Sequence, residues 1–83
     1  MIRIEVFGPG CQRCRATTAA VEEAIRTSHV EASIVHISDP AEMARQRVMF
    51  TPTVRVNGRL KATGRVPTSA EIVTWLVEAA AAA

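Results

Sequence analysis

The chain has 83 residues, a formal net charge of +2 and a hydrophobic fraction of 48%, which suits one small folded domain. Aromatic residues make up 4% and no dense basic run is present, so the composition argues against a nucleic-acid binder. No apolar run approaches the roughly 18 residues of a membrane span, and the N-terminus lacks the apolar core of a signal peptide. We therefore expect a soluble, cytoplasmic, monomeric protein without a membrane span.

The first predicted elements are a strand, a helix and a second strand. Apolar and polar residues alternate over Ile2–Phe7, which predicts a strand. A helix is predicted over residues 11–27, and Ala32–Ile37 is predicted as a strand parallel to the first through a right-handed crossover. The side chains expected to face the core from the first helix recur every three or four positions: Cys14, Thr18, Val21, Ile25 and Ser28.

A second, short helix is predicted directly after the second strand. Asp39 has the residue type of an N-cap, Pro40 suits the first helical position, and Glu42 lies three residues after the cap. We expect this helix to end near Val48.

Two further strands, residues 53–56 and 60–63, are predicted around an Asn-Gly turn. A two-residue loop would mix apolar and charged side chains on one face of the hairpin. A three-residue loop, with Gly58 as a left-handed bulge residue, instead pairs Val54 with Leu60. We predict that register.

The last predicted helix begins with a capping box, in which Thr68 is followed three residues later by Glu71. The side chains expected to form its apolar stripe are Ile72, Val73, Leu76 and Val77, with Trp75 beside them. The alanine run at residues 79–83 is expected to fray. The whole chain, residues 1–83, is therefore predicted to be one α/β domain of order β-α-β-α-β-β-α with a mixed four-stranded sheet.

The two cysteines of the chain, Cys11 and Cys14, stand where the first strand gives way to the first helix. A helix N-terminus stabilises an anion, and the reactive form of a thiol is the thiolate. We therefore expect a lowered pKa for Cys11, with Arg13 and Arg15 adding positive charge, and a less acidic, less exposed Cys14. A disulfide between them would close too short a loop to stabilise the fold much, which favours a chemical role.

Two chemistries fit this cysteine spacing. In a thiol–disulfide couple, Cys11 attacks and Cys14 resolves the mixed disulfide. In a metal carrier, both thiolates bind a soft ion such as Cu(I), or Zn. Small copper-carrier domains run β-α-β-β-α-β, whereas this chain has helix signals after the second strand and at its end, which favours the redox couple. A third interpretation, an interaction domain with vestigial cysteines, is disfavoured by the intact motif.

Two more segments accompany the cysteine motif: Thr51-Pro52 before the third strand, and Gly64-Arg65-Val66-Pro67 before the last helix. Together with Gly8-Pro9-Gly10-Cys11 they resemble the thioredoxin superfamily, and most closely its minimal thioredoxin-like "redox-active disulfide" proteins. The resemblance covers about residues 2–77. It implies a thioredoxin-like fold with helices on both faces of the sheet, and a thiol–disulfide oxidoreductase that needs no cofactor beyond the disulfide. The implied partners are a protein disulfide or dithiol and a reductase.

The resemblance also implies site residues. Cys11 and Cys14 form the redox couple, and a cis peptide before Pro52 packs against them and leaves the backbone of Thr51 free to bind a substrate chain. The residues expected to shape the site are Gly10, Gln12, Arg13 and Gly64. The Gln12-Arg13 dipeptide replaces the Gly-Pro of thioredoxin.

Three other titratable residues have weaker signals. Glu5 lies six residues before Cys11, which resembles the position of the buried proton-transfer acid of thioredoxins; the alternative is a solvated strand residue. His29 and His36 lack metal-ligand spacing to the cysteines, so we interpret them as surface or packing residues.

Overall fold

The computed structural model describes residues 1–82. The elements occur in the predicted order β-α-β-α-β-β-α. Their bounds are β1 Ile2–Phe7, α1 Gln12–Ser28, β2 Ala32–Ile37, α2 Pro40–Arg45, β3 Thr53–Val56, β4 Arg59–Thr63 and α3 Ser69–Ala82. Four residues of the alanine run, 79–82, continue α3, and the fraying predicted for Ala83 lies outside the described residues.

The four strands form one mixed sheet in the order β2-β1-β3-β4. β1 is parallel to β2, whereas β1 with β3 and β3 with β4 are antiparallel. α1 and α3 pack against each other on one face, where they bury Ile2, Ile4 and Val6 of β1. The intervening Glu5 points to the other face, because side chains alternate along a strand, and the end of α2 lies on that face through Gln46. The predicted fold class is confirmed.

The buried stripe of α1 differs from the predicted one. Cys14 and Val21 are buried as expected, but Thr18 is only partly buried. Thr17 and Ala24 occupy the core positions instead. The buried residues therefore recur at a spacing of three and four: Cys14, Thr17, Val21 and Ala24. Thr17 can be buried because its hydroxyl donates a hydrogen bond to the carbonyl of Arg13 at 2.9 Å, which satisfies its polar atom. Ile25 and Ser28 are also only partly buried.

The predicted register of the β3–β4 hairpin is wrong. Asn57 (φ 50°) and Gly58 (φ 80°) both adopt left-handed conformations and form a two-residue turn. An irregularity further along β4 then shifts the pairing, so that Val54 lies opposite Ala62 rather than Leu60. Ala62 is buried and Leu60 is 61% exposed. The bulge therefore gives Val54 its apolar neighbour without a longer loop.

α2 ends at Arg45, three residues before the predicted end. The reason is a left-handed residue, Arg47 (φ 60°), that turns the chain out of the helix. The amide of Arg47 donates to the carbonyl of Ala44 at 3.1 Å, and the amide of Val48 donates to that of Met43 at 2.9 Å. These two bonds are those of a Schellman motif, which satisfies the last carbonyls of a helix.

The capping box at the start of α3 is present as predicted. The hydroxyl of Thr68 accepts a hydrogen bond from the amide of Glu71 at 3.1 Å, and the Glu71 carboxylate accepts one from the amide of Thr68 at 3.0 Å. Of the predicted apolar stripe, Ile72 and Leu76 are fully buried, whereas Val77 is 52% exposed. In the part of the chain that the structure describes, no helix is long and apolar enough to cross a membrane.

A candidate dithiol active site

The two cysteine thiols meet at the N-terminus of α1. Cys11 is the N-cap residue, and its sulfur accepts a hydrogen bond from the amide of Cys14 at 3.4 Å. Both cysteines are free, and their sulfur atoms lie 2.7 Å apart. Cys11 is exposed and Cys14 is 5% exposed, so a large reactant can reach only the first sulfur directly.

The two sulfurs differ in acidity in the direction that the sequence predicts. The hydrogen bond from the Cys14 thiol lowers the pKa of Cys11, and the Cys14 amide lowers it further. Burial raises the pKa of Cys14, and its thiol hydrogen bond to Cys11 acts in the same direction. These opposite pKa shifts favour the thiolate on Cys11 over the thiolate on Cys14.

Gly8, directly after β1, allows three segments to converge at the sulfurs. A Cβ atom built on Gly8 would lie 2.3 Å from the Cys14 sulfur and 3.8 Å from the Cβ of Thr51. A side chain at this position would therefore occupy the space of the sulfur itself. Gly8 belongs to the Gly8-Pro9-Gly10-Cys11 segment that carries the family resemblance, but it is not among the residues predicted to shape the site.

The Thr51-Pro52 segment lies close to the cysteine pair. Thr51 and Cys14 are both neighbours of Gly8. The Thr51–Pro52 peptide bond is cis, and Pro52 is fully buried. The carbonyl of Pro52 accepts a hydrogen bond from the amide of Gly64 at 2.9 Å. Within residues 1–82, the amide and carbonyl of Thr51 take part in no backbone–backbone hydrogen bond.

Arg13 and Arg15 connect the cysteine motif to its surroundings. The guanidinium of Arg13 donates a hydrogen bond to the carbonyl of Gly64 at 2.6 Å, and that of Arg15 donates to the carbonyl of Gly10 at 2.7 Å. Gly64 has a φ of 71°, a conformation that residues with a side chain rarely adopt. The structure thus brings the expected residues together, whereas Gln12 is exposed and its side chain makes no hydrogen bond in the described chain.

A small cavity of about 160 Å³ lies behind the buried thiol. It is lined by Val6, Gly8, Gly10, Cys14, Arg15, Thr18 and His36. His36 reaches this cavity because it lies opposite Val6 in the parallel β1–β2 register, on the α1 face of the sheet. The spacing of His36 in the sequence does not connect it with the cysteines. His29 lies at the other end of α1, as its C-cap residue.

A larger cavity of about 540 Å³ lies away from the cysteines. Trp75 lines it and is partly buried against the core, which agrees with its predicted packing role. The remaining lining comes from the β3–β4 hairpin and the end of α3, and no cysteine or histidine is among these residues. The larger cavity is therefore separate from the cysteine pair.

Metal-ligating residues do not gather around the cysteines. In residues 1–82, no group of three or more histidine, cysteine, aspartate or glutamate side chains could hold a metal ion together. Cys11 and Cys14 alone would offer two sulfur ligands, a set suited to a soft ion such as Cu(I).

Residues 2–77 match a family model described as the thioredoxin domain. The chain belongs to the thioredoxin family. It is 33% identical to a thioredoxin of Methanocaldococcus jannaschii over 72 residues, which cover 87% of this chain and 83% of the relative. It is 28% identical to a thioredoxin of Methanothermobacter thermautotrophicus, also over 72 residues, which cover 87% of this chain and 94% of that relative.

Solved structures show the same thioredoxin fold at low sequence identity. Thioredoxin-2, a component of malaria parasite protein secretion machinery, superposes with a TM-score of 0.74 at 12% identity and covers 94% of this chain and 82% of its own. A second malarial protein superposes with a TM-score of 0.71 at 13% identity, covering 95% and 96% of the two chains.

Family membership establishes the general activity. This thioredoxin-family chain is a thiol–disulfide oxidoreductase with its two cysteines in a Cys-x-x-Cys arrangement. Thioredoxins act on protein disulfides together with reductases, and in general they need no cofactor.

Proposed function

We propose that Cys11 is the attacking thiol and Cys14 the resolving thiol in the reduction of protein disulfides. The observation that carries this assignment is the asymmetry of the pair. Cys11 is exposed with a lowered pKa, whereas Cys14 is buried with a raised pKa. The thiolate is the nucleophile in disulfide exchange, so the exposed and more acidic sulfur reacts first.

In the first step, the Cys11 thiolate attacks one sulfur of the substrate disulfide. A bond forms between Cys11 and that sulfur, the substrate disulfide breaks, and the second substrate sulfur leaves as a thiolate that takes up a proton. The backbone amides of Cys14 and Arg13 at the α1 N-terminus favour negative charge on Cys11 before the attack. The product is a mixed disulfide between the protein and its substrate.

In the second step, Cys14 loses its proton and its sulfur attacks the Cys11 sulfur, 2.7 Å away in the dithiol state. The Cys11–Cys14 disulfide forms, and the remaining substrate sulfur leaves and is protonated. The substrate has gained two electrons and two protons. Both electrons and the Cys14 proton come from the protein, and the second proton comes from the solvent. A reductase returns two electrons to the Cys11–Cys14 disulfide and completes the cycle.

We further propose that the substrate lies in extended form beside Thr51. A residue such as Thr51, whose amide and carbonyl make no backbone–backbone hydrogen bond within residues 1–82, can pair with an added strand. The Cys14 sulfur and the Thr51 side chain both lie next to Gly8, so a strand held at Thr51 would present its disulfide to the cysteine pair. Gly10, Gln12 and Gly64 form the rim of this site.

The roles of the two cysteines are tested by trapping. Cys14→Ser and Cys11→Ser variants are incubated with a disulfide-bonded protein such as insulin and run on non-reducing gels. Cys14→Ser should accumulate a mixed disulfide through Cys11, because the resolving sulfur is gone, whereas Cys11→Ser should not. Adducts from Cys11→Ser alone would exchange the two roles.

The metal-carrier alternative is tested on the same samples. A carrier would bind Cu(I) through both thiolates and would give no adduct from either variant. The fold weighs against this alternative, because α2 separates β2 from β3, whereas small copper-carrier domains run β-α-β-β-α-β. Adducts from Cys14→Ser together with insulin reduction by the unmodified chain would support the oxidoreductase.

A further inference from the structure

Two exposed apolar side chains precede the Thr51–Pro52 segment. Met49 is 84% exposed and Phe50 is 63% exposed, in the loop between α2 and β3. Both are thus among the most exposed large apolar side chains, and they stand next to the residue at which we propose that the substrate binds. An apolar surface beside a binding site is typical of a docking surface for another molecule.

One of these apolar side chains, Phe50, and the cationic side chain of Arg13 both lie close to Gly64. Arg13 bonds to the carbonyl of Gly64, and a Cβ atom on Gly64 would lie 3.3 Å from the Cβ of Phe50. The guanidinium and the phenyl side chain therefore contact the same residue. Because Arg13 immediately precedes Cys14, the Arg13 guanidinium and the Phe50 side chain both lie near the cysteine motif.

The charge of Arg13 is not neutralised by a carboxylate. In the part of the chain that the structure describes, the ion pairs join Glu5, Glu42 and Glu71 to arginines other than Arg13 or Arg15. The hydrogen bond from Arg13 to a neutral carbonyl fixes the position of the guanidinium but leaves its positive charge. Its remaining N–H groups can donate to an incoming carboxylate.

We infer that the Arg13–Phe50 surface, defined by Arg13, Met49 and Phe50, selects protein disulfides whose cysteine is flanked by an acidic residue and an apolar residue. This inference rests on the proposed function, since it places the substrate at Cys11 and Thr51. The acidic residue would pair with Arg13, and the apolar residue would cover Phe50 and Met49. Complementary charge at a rim raises the rate of productive encounter and discriminates between partners.

The same charges disfavour a second copy of this chain as the occupant. A two-fold symmetric dimer over this surface would bring Arg13 of each copy towards the other. Arg15 would add further positive charge. In the described chain, no carboxylate forms an ion pair with Arg13 or Arg15 that would offset this repulsion. An acidic partner segment would instead be attracted to both arginines.

The charge preference is tested with two peptide disulfides that differ only in the residue beside the cysteine, glutamate or lysine. The measured quantity is the ratio of kcat/KM for the acidic over the basic peptide. We expect a ratio of about threefold to tenfold at low salt that falls at high salt, as for exposed charge pairs. Arg13→Glu should abolish or invert the ratio, and Arg13→Gln should reduce it towards one.

Arg26→Glu is the matched control for charge. Arg26 lies in the last turn of the same helix, about 20 Å along α1 from Arg13 at 1.5 Å per residue. Arg26→Glu changes the net charge by the same amount as Arg13→Glu, and we expect this variant to retain the preference for the acidic peptide. Bis(2-hydroxyethyl) disulfide, which is small and neutral, reports the intrinsic reactivity of Cys11 in every variant. The rate with each peptide is divided by the rate with this disulfide.

The apolar contact is tested by Phe50→Ser against Leu60→Ser. The two side chains have nearly equal exposure, 63% and 61%, but Leu60 lies on β4 outside the surface. Phe50→Ser should raise KM for the acidic peptide severalfold and leave the rate with the hydroxyethyl disulfide unchanged, whereas Leu60→Ser should change neither.

Three results would overturn the inference. One is equal kcat/KM for the two peptides with the unmodified chain. Another is a preference that Arg13→Glu and Arg26→Glu reduce equally. A third is that the small dicarboxylate 3,3′-dithiodipropionate shows the same preference as the acidic peptide and that Phe50→Ser has no effect. This result would indicate a site for free anions. Failure to reduce any of these disulfides, the neutral one included, would overturn the proposed function itself.

Discussion

Glu5 and Arg55 face each other across β1 and β3 and form a buried ion pair with an N–O distance of 3.2 Å. Their side chains are 9% and 21% exposed. Arg55 also donates to the side-chain oxygen of Gln46, just after α2, and its guanidinium lies 4.6 Å from the centre of the Phe7 ring. One arginine thus holds two strands and the end of α2 together.

This pair bears on the interpretation of Glu5. The alternative of a solvated strand residue is wrong, because Glu5 is 7% exposed. Its carboxylate points away from the α1 face and is bonded to Arg55, whereas the Cys14 thiol lies on α1 beside a cavity that His36 lines. The ionisable side chains that line the cavity beside Cys14 are therefore Arg15 and His36, and a role for Glu5 in proton transfer stays a prediction.

Removing one partner of this pair should destabilise the fold. Arg55→Met leaves the Glu5 carboxylate buried with only the largely exposed Arg3 at 3.6 Å, and we expect a loss of about 3 kcal/mol, as for other broken buried pairs. The double variant Glu5→Leu/Arg55→Met removes both charges and should recover most of that loss. Urea unfolding of the three proteins measures it. A double variant less stable than Arg55→Met would contradict the argument.

The fold could be predicted where local signals decide it. β1 was predicted to its exact bounds and the Thr68 capping box to its residues, because alternation and capping depend on neighbouring residues only. The hairpin register was wrong because the bulge in β4 is a tertiary solution, which places Ala62 in the core. The early end of α2 at the left-handed Arg47 had no glycine to signal it.

The site was predictable in its chemistry but not in its packing. The spacing of Cys11 and Cys14 indicated unequal thiols, and the pKa directions agree. Gly8 and Phe50 were not identified, because their importance depends on segments that are distant in sequence: Gly8 on Thr51, and Phe50 on Gly64. Such convergence leaves no local pattern in the chain.

Gly8→Ala should impair the cysteine pair specifically. The added Cβ would lie 2.3 Å from the Cys14 sulfur, so the sulfur or β1 must move. We expect a loss of about 1–3 kcal/mol, as for overpacked cores, and slower closure of the Cys11–Cys14 disulfide. Stopped-flow oxidation of the dithiol measures the closure rate.

Gly10→Ala is the control for this substitution. Gly10 has a φ of 87°, so alanine is strained there, yet a Cβ atom would meet nothing within 4 Å. It should lose stability while closing its disulfide at the rate of the unmodified chain. Equal closure rates for Gly8→Ala and Gly10→Ala would refute the packing argument.

The capping box of α3 should make stability depend on pH. The Arg65 guanidinium, with the Thr68 amide, lowers the pKa of Glu71 to about 2. A carboxyl whose pKa is depressed on folding stabilises the fold above its unfolded pKa, and this contribution is lost as the pH falls from about 4.5 towards 2. Glu71→Gln should flatten the fall in Tm across that window, as measured by thermal unfolding from pH 6 to 2.

Thr68→Ala separates the cap from the charge. It removes the hydroxyl that accepts from the Glu71 amide and donates to the Glu71 carboxylate, so it should cost about 1 kcal/mol near neutral pH, as for other N-caps, and less in acid. The Arg65–Glu71 pair at 2.9 Å should persist in this variant and retain part of the acid dependence. A Tm profile for Glu71→Gln that is parallel to that of the unmodified chain would contradict the assignment.

Alkylation should distinguish the two thiols by pH. With iodoacetamide, Cys11 should react much faster than Cys14 near neutral pH, and its rate should titrate below the free-thiol pKa of about 8.5. Because the Cys14 thiol is the largest cause of the lowered pKa, Cys14→Ala should move the Cys11 titration to higher pH. Part of the shift should remain, since backbone amides also bond to the Cys11 sulfur. Mass spectrometry of the labelled residues gives each rate, and equal rates for the two cysteines would overturn the assignment of Cys11 as the nucleophile.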